Sequence, residues 1–427
     1  MIIQNPNRVM LDYGRKGIEL FLDRNIAGWT VIEPEESTPL LNFNSAFHNS
    51  VARPIDKPPL NEVISPDDRV VIVTSDGTRP VPNQLLIPAI IECCHLKMSQ
   101  VTVLVGCGTH RPHTVEELQA LLGQEILQGC RVINHQAGDP ENLLLMGTTP
   151  SGIPVTLNKE YINADKRIVI GFIEPHLFAG YSGGPKGICP AICGLETILA
   201  FHSFDIIANP ASDYGILEGN PQQQAAREVA SFAPPEFMVN VTLNSSKQIT
   251  GIYSGDYIEA HRRGAAAVAS VAHISLRQTF PVVITTNSGF PLDQNLYQTV
   301  KGISTAARIV EKGGAIVVVS ECSCGIPSGS RFASILSAGQ SSDELLRFLS
   351  ESRERVLDSW QVQKLAQILD KAEVHLYSSL SCEETAQCRM RNIDDLQKEL
   401  PSIISRYRSR PAAAVLPRGP LSIPTVD

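Results

Sequence analysis

The chain has 427 residues, 43% of them apolar and 19% charged, which is the balance of a folded globular protein with room for two or three domains. Aspartate and glutamate (44) outnumber lysine and arginine (36). The formal charge is −8, and with no basic block this argues against nucleic acid or an anionic membrane as partner. No apolar run approaches the ~20 residues of a membrane helix, and the first residues form no leader peptide, so the expectation is a cytoplasmic protein that acts on a small molecule.

In chain order, the first 55 residues read as irregular and rich in turn formers. Residues 69–74 (RVVIVT) then form a buried-strand run, followed by an apolar helix over 83–96. A strand at 101–105, a helix at 114–122, and strands at 131–134 and 167–173 (RIVIGFI) follow. Short β-branched runs alternating with helices predict a wound, parallel α/β sheet. Residues 237–252 alternate apolar and polar and predict strands with an exposed face, and 256–272 is helical. A hinge is expected at 271–280. A second rhythm has strands at 282–285, 315–319 and 374–380, with helices at 296–312, 343–349 and 361–372. The expected division is an N-terminal α/β domain over 1–272 and a C-terminal one over 280–404. The tail, 405–427, either returns to the first domain or frays. The ten cysteines follow no zinc-pair spacing, and reduced thiols are expected.

Ligands of wound sheets bind at the carboxyl ends of the strands. After the first strand come Asp76, Thr78 and Arg79. After the second comes a loop with His110, Arg111 and His113. After 167–173 come Glu174 and His176, and then a Gly-rich loop with Ser182, Gly183, Gly184 and Lys186. His202 follows, expected within an apolar helix that starts near Pro190. Taken singly, each has a plainer reading as a turn or a satisfied core residue. Three polar, Gly-rich strand ends at one sheet edge are a site signature. Neither G-x4-G-K-[ST] nor G-x-G-x-x-G is present, which argues against a common nucleotide fold and a dehydrogenase. In the second rhythm, Gln298 and Lys301 share one face of a helix start, and with Arg79 they would suit a carboxylate.

Four stretches together carry a resemblance: D-G-T-R-P at 76–80, G-T-H-R-P-H-T at 108–114, E-P-H-x-F-A-G-Y-S-G-G-P-K at 174–186 and P-L-D-x-N-L-Y-Q-x-x-K-G at 291–302. With N-H-Q-A-G-D at 134–139 and L-E-G-N-P at 217–221, the chain resembles the nickel-pincer-dependent lactate racemase family over nearly its whole length. The resemblance implies two α/β domains with the active site in the cleft between them. It implies a nickel-pincer nucleotide, a pyridinium mononucleotide with two sulfur-bearing arms, held covalently by Lys186. It places nickel on His202, the acid/base pair at His110 and His176, and substrate contacts at Arg79, Gln298, Lys301, Tyr297 and Trp360. Asp76, Ser182, Gly183 and Gly184 would support the cofactor. Pro185, Ala191, Cys189 and Cys193 depart from the family's pattern.

Such a site would invert C2 of a 2-hydroxy acid. The α-hydrogen is too weakly acidic for histidine alone, and its removal as hydride is easier when the hydroxyl proton leaves to a base of near-neutral pKa. Such a protein would rely on separate cofactor-building enzymes, and an oligomer is compatible with the sequence. Two rival readings stay open: a zinc enzyme using His110, His176 and His202, and a non-catalytic cofactor carrier.

Overall fold

The computed structural model describes residues 1–327, 331–339, 341–352 and 356–426. It contains two wound sheets. The first has six strands in the order Ile249–Gly255, Phe237–Leu243, Lys166–Phe172, Val70–Ser75, Val101–Gly106, Arg131–Asn134. All neighbours pair parallel except Ile249–Gly255, which runs antiparallel to Phe237–Leu243. The chain leaves Val70–Ser75 toward one edge and returns on its other side as Lys166–Phe172. Strand order therefore reverses between these two neighbours, where a wound sheet opens a crevice for ligands.

The second sheet has seven strands in the order Ile2–Gln4, Gly28–Ile32, Ala412–Leu416, Phe280–Thr286, Val310–Val319, Ala372–Tyr377, Arg391–Ile393. Its order reverses in the same way beside Phe280–Thr286, whose carboxyl end leads to the helix Leu296–Ala307. Each sheet thus places a reversal point at the cleft.

The chain ends correct the expected division at 1–272 and 280–404. Gly28–Ile32 lies in the second sheet, parallel to Ala412–Leu416, which in turn pairs with Phe280–Thr286. The region expected to be irregular thus carries strands, with Trp29 completely buried in a core with Val282, Ile284 and Val415. The tail does return, but to the second sheet; only its last strand, Ile423–Val426, pairs with His273–Leu276 in the expected hinge. These strands are three to five residues long and interrupted by turn formers, so they carry little periodic signal. Phe237–Leu243 also differs from expectation: six of its seven residues are buried, because the helix Glu259–Ala272 covers it.

One apolar cluster joins the two lobes, with Val169, Ile198 and Phe201 of the first and Leu296, Val300 and Val362 of the second. No helix among the described residues is long and apolar enough to cross a membrane. All ten cysteines are free thiols. Cys189 and Cys193 are both fully buried in the shared cluster.

Candidate active site

A cavity of about 170 Å³ opens between the lobes at the two reversal points. Its floor is the first sheet. Val70–Ser75 is buried along nearly its whole length, so its apolar residues fix where the chain emerges as Asp76. The Asp76 carboxylate meets His110 Nδ1 at 2.6 Å and accepts from Thr78 Oγ1 at 2.5 Å. Burial alone would raise this carboxyl. The charge and hydrogen bond of His110, the Thr78 hydroxyl and Arg79 outweigh burial and hold it well below the usual range. His113, the other histidine of that loop, is spent locally: Nε2 accepts the Gly77 N–H at 3.0 Å, and Nδ1 faces Glu117.

After Lys166–Phe172 the chain makes a small two-stranded ribbon, Pro175–His176 against Gly180–Tyr181. Glu174 precedes it and lies 2.8 Å from Arg79 Nε, with both side chains largely buried. His176 Nδ1 accepts the N–H groups of Phe178 and Ala179, both at 3.2 Å. Burial, with Lys186, Lys301 and Arg79 nearby, pushes this ring well below its usual pKa.

The lysine loop follows. Gly183 and Gly184 have φ of +82° and +55°, which other residues rarely adopt. A Cβ on Gly184 would come within 2.4 Å of the His261 ring, and one on Gly183 within 2.5 Å of Asn240 Oδ1. The loop is pinned from both sides: Asn240 Oδ1 accepts the Gly184 N–H at 2.8 Å, and His261 Nε2 donates to the Ser182 carbonyl at 2.8 Å. The Ser182 hydroxyl is committed to the backbone, donating to Phe172 O and accepting from Glu174 N. Lys186 is thereby held half-buried in the cavity wall, with its ammonium 5.4 Å from the Phe201 ring. Burial and the charge of Arg79 lower its pKa to about 8.

His202 is not inside a helix but caps Leu195–Phe201. Its Nδ1 donates to the Ile198 carbonyl at 2.9 Å, which leaves the Nε2 lone pair free, as in a metal-ligating histidine. Burial and Lys186 lower its pKa to about 3, so the ring is neutral.

The second lobe closes the cavity. Asn295 caps Leu296–Ala307 by accepting the Gln298 N–H at 3.0 Å, and Tyr297, Gln298 and Lys301 face the first lobe. Lys301 Nζ is buried without a protein partner, and burial with Arg79 nearby pushes its pKa well down. Trp360 and Gln361 begin the helix Ser359–Lys371. The Trp360 indole donates to the Tyr297 hydroxyl at 2.7 Å and stacks on His202. Gln361 Nε2 donates to the Tyr297 carbonyl.

Twelve of the thirteen site residues expected from the sequence line one cavity: Asp76, Arg79, His110, His176, Ser182, Gly183, Lys186, His202, Tyr297, Gln298, Lys301 and Trp360; Gly184 lies in the adjoining loop. The arrangement departs from the zinc reading. Among the described residues no three His, Cys, Asp or Glu side chains are grouped to hold a metal ion. Sequence reasoning also gave no role to Glu174, Asn240, His261 or Gln361. Asn240 was the most legible of these, as an amide inside a run of apolar strand residues, F-M-V-N-V.

The orphaned atoms test whether a ligand and cofactor fit. Glu174 Oε2, Asn240 Nδ2, Gln298 Oε1, Lys301 Nζ and Gln361 Oε1 are buried without a protein partner, and all five residues border this cavity or pair with it. Buried polar groups are almost always bonded, so these atoms are set to meet bound groups. Lys186 lines the same cavity without a hydrogen-bonded side-chain partner, and His202 has a free neutral Nε2, so the residues present fit a group carried on Lys186 with a metal ligated by His202.

Two wound lobes with these groups between them define a cleft enzyme of the α/β class. The lactate racemase N-terminal domain family matches residues 13–215, and the lactate racemase C-terminal domain family matches residues 277–423. The chain is 35% identical over 323 residues to the lactate racemase of Thermoanaerobacterium thermosaccharolyticum, covering 75% of this chain and 76% of that one. It is 31% identical over 374 residues to the lactate racemase of Lactiplantibacillus plantarum, covering 87% and 88%. The structure of the lactate racemase apoprotein from T. thermosaccharolyticum superposes with a TM-score of 0.89 at 30% identity, covering 98% of this chain and 99% of that one. A Thermotoga maritima protein of 17% identity shares the fold, with a TM-score of 0.72 over 92% of this chain and all of that one. The chain belongs to the lactate racemase family, and so to a family of isomerases.

Proposed function

We propose that this enzyme is a racemase or epimerase that inverts C2 of lactate or a related 2-hydroxy acid, with a nickel-pincer nucleotide on Lys186. The observation that carries the reading is the buried, partnerless Lys301 amine beside Arg79, in the cavity that His110 and His176 also line. Charging this amine without a partner is costly, and a substrate carboxylate would relieve that cost and favour the ammonium. Gln298 and Arg79 would complete the carboxylate clamp, and Trp360 and Tyr297 would wall it. His202 would hold nickel through Nε2. When bound, such a cofactor would supply a hydride acceptor for the C2 hydrogen.

The chain's part is proton movement and orientation. A hydroxyl presented to His110 Nε2 gives up its proton there, and the Asp76 carboxylate stabilises the imidazolium that forms. His176 serves the hydroxyl of the opposite enantiomer. The clamp would hold the carboxylate while the planar 2-oxo acid turns over. The free thiols support a cytoplasmic setting, and enzymes that build the cofactor would mature the protein.

The test is the protein made in a host that builds the cofactor, measured by intact mass, metal content and racemisation in deuterated water. The expected outcome is an adduct on Lys186, about one nickel per chain, and inverted product with little deuterium at C2. Zinc in place of nickel, a loaded protein without turnover, or deuterium incorporation at the rate of inversion would each overturn the reading in a different way.

A further inference from the structure

His110 and His176 are held by opposite kinds of partner. His110 Nδ1 meets the Asp76 carboxylate at 2.6 Å. An ionised carboxylate only accepts, so in the neutral ring the proton lies on Nδ1 and the lone pair on Nε2. His176 Nδ1 instead meets two backbone N–H groups, of Phe178 and Ala179, each at 3.2 Å. Backbone N–H groups only donate, so this nitrogen must accept, and the proton of the neutral ring lies on Nε2. The ribbon that carries His176 fixes this choice, because the strand partner Gly180 directly follows the donor at Ala179.

We infer that the two histidines rest in opposite tautomers: His110 offers the cavity a base at Nε2, and His176 offers it an N–H donor at Nε2. The groups that face His176 reinforce this. Lys186, Lys301, Arg79 and His202 surround it, and none would stabilise an imidazolium. Charging the ring would also place an Nδ1–H against two N–H donors.

The consequence, which rests on the proposed racemase reading, is that the two enantiomers meet unequal sites on the first turnover. A hydroxyl at His110 breaks its O–H bond as the Nε2–H bond forms, and the ring becomes an imidazolium paired with Asp76. A hydroxyl at His176 meets an N–H and accepts a hydrogen bond from it. Its proton has no vacant nitrogen until the ring has lost the Nε2 proton to water and gained one on Nδ1, which requires both backbone bonds to open. At steady state the two directions of a racemisation share one kcat/KM, since the enantiomers are equally stable. The asymmetry is therefore confined to the resting state and the first turnover.

The test reads the protons directly, in full-length protein without cofactor at neutral pH, with histidine rings labelled with nitrogen-15. Long-range proton–nitrogen correlations distinguish a protonated from a bare ring nitrogen. The His176 ring is assigned by its proximity to the Phe178 and Ala179 amide protons, so no substitution is needed and no variant can misfold. The expected result is a bare Nδ1 and protonated Nε2 at His176, with the reverse at His110. A proton on Nδ1 of His176, on both its nitrogens, or the same tautomer at both histidines overturns the inference. Because nothing in this measurement turns over, failure of the racemase reading would leave its outcome unchanged.

Discussion

The His202 imidazole stacks on the Trp360 indole with ring centroids 4.2 Å apart and planes 20° from parallel. The contact spans the cleft, because His202 belongs to the first lobe and Trp360 to the second. It continues through the Trp360–Tyr297 hydrogen bond to the edge of the His110 ring, 6.4 Å from Tyr297. A candidate metal ligand and a candidate base are thus oriented by one set of aromatic contacts.

That continuity predicts a graded response at Trp360. Trp360→Phe keeps a ring for His202 to stack on but loses the bond to Tyr297. Its expected effect is a turnover loss of about tenfold, equivalent to one hydrogen bond. Trp360→Ala removes the stack and opens a core cavity worth roughly 3–5 kcal/mol, and nickel retention should fall with it. Metal content after dialysis and denaturant unfolding check this. An alanine variant that holds nickel like the parent would show that His202 is oriented by its Ile198 bond alone.

Lys186 gives a prediction that needs no cofactor. Burial and the Arg79 charge lower its pKa to about 8, so roughly a fifth of the amine is unprotonated near physiological pH, far more than for a lysine at its ordinary value. Reductive methylation of the cofactor-free protein, followed residue by residue by peptide mass, should therefore show Lys186 reacting with a midpoint near pH 8. Exposed lysines should react with midpoints near ~10.4. A Lys186 midpoint matching theirs would mean the amine is not prepared for acylation by its surroundings.

Asn240 tests what prepares that lysine. Its carbonyl end holds the Gly184 N–H, and its NH2 end is buried without a protein partner. Asn240→Asp keeps the acceptor but puts negative charge at the loop, so the Lys186 midpoint should rise. Asn240→Leu leaves the Gly184 N–H unsatisfied, and stability should drop by about 1–3 kcal/mol. A leucine variant as stable as the parent would remove Asn240 from the account of the loop.

The first sheet and most of the site were legible because each depended on local signals. RVVIVT and RIVIGFI are strand-length apolar runs, and the residues after them emerge at one sheet edge in any parallel winding. The second sheet was only half legible. Its Ala413–Val415 stretch and Trp29 become strand core only through each other, across nearly four hundred residues of chain, and no local pattern encodes that pairing. Glu174 and Gln361 were hidden for a different reason. Their roles come from what remains unbonded after folding, a property of the packed cavity and not of the sequence around them.

Buried histidines away from the chemistry give the last prediction. His135 Nε2 donates to the Cys193 carbonyl at 2.8 Å, and its Nδ1 accepts from Asn158 at 3.1 Å, which ties the N-H-Q-A-G-D loop beneath the lysine segment. Burial lowers its pKa to about 4, and that of His261 likewise to about 4. Both rings are neutral in the folded protein, whereas in the unfolded chain they titrate near ~6.5. Below that value the unfolded state binds protons that the folded state refuses, so folding stability rises with pH and is lost as pH falls. Each histidine contributes a slope approaching ~1.4 kcal/mol per pH unit between the unfolded and folded values, and the carboxylates held below their usual range add their loss only at lower pH. The melting temperature should accordingly fall steadily from pH 6.5 to pH 5. His135→Gln should be less stable at pH 7.5 by about 1–2 kcal/mol for its imperfect replacement of two buried bonds. It should also show a distinctly shallower acid slope, so that the gap between variant and parent narrows as pH drops. A parent protein whose stability is flat over that window, or a gap that widens, would mean that His135 takes up its proton without leaving the fold.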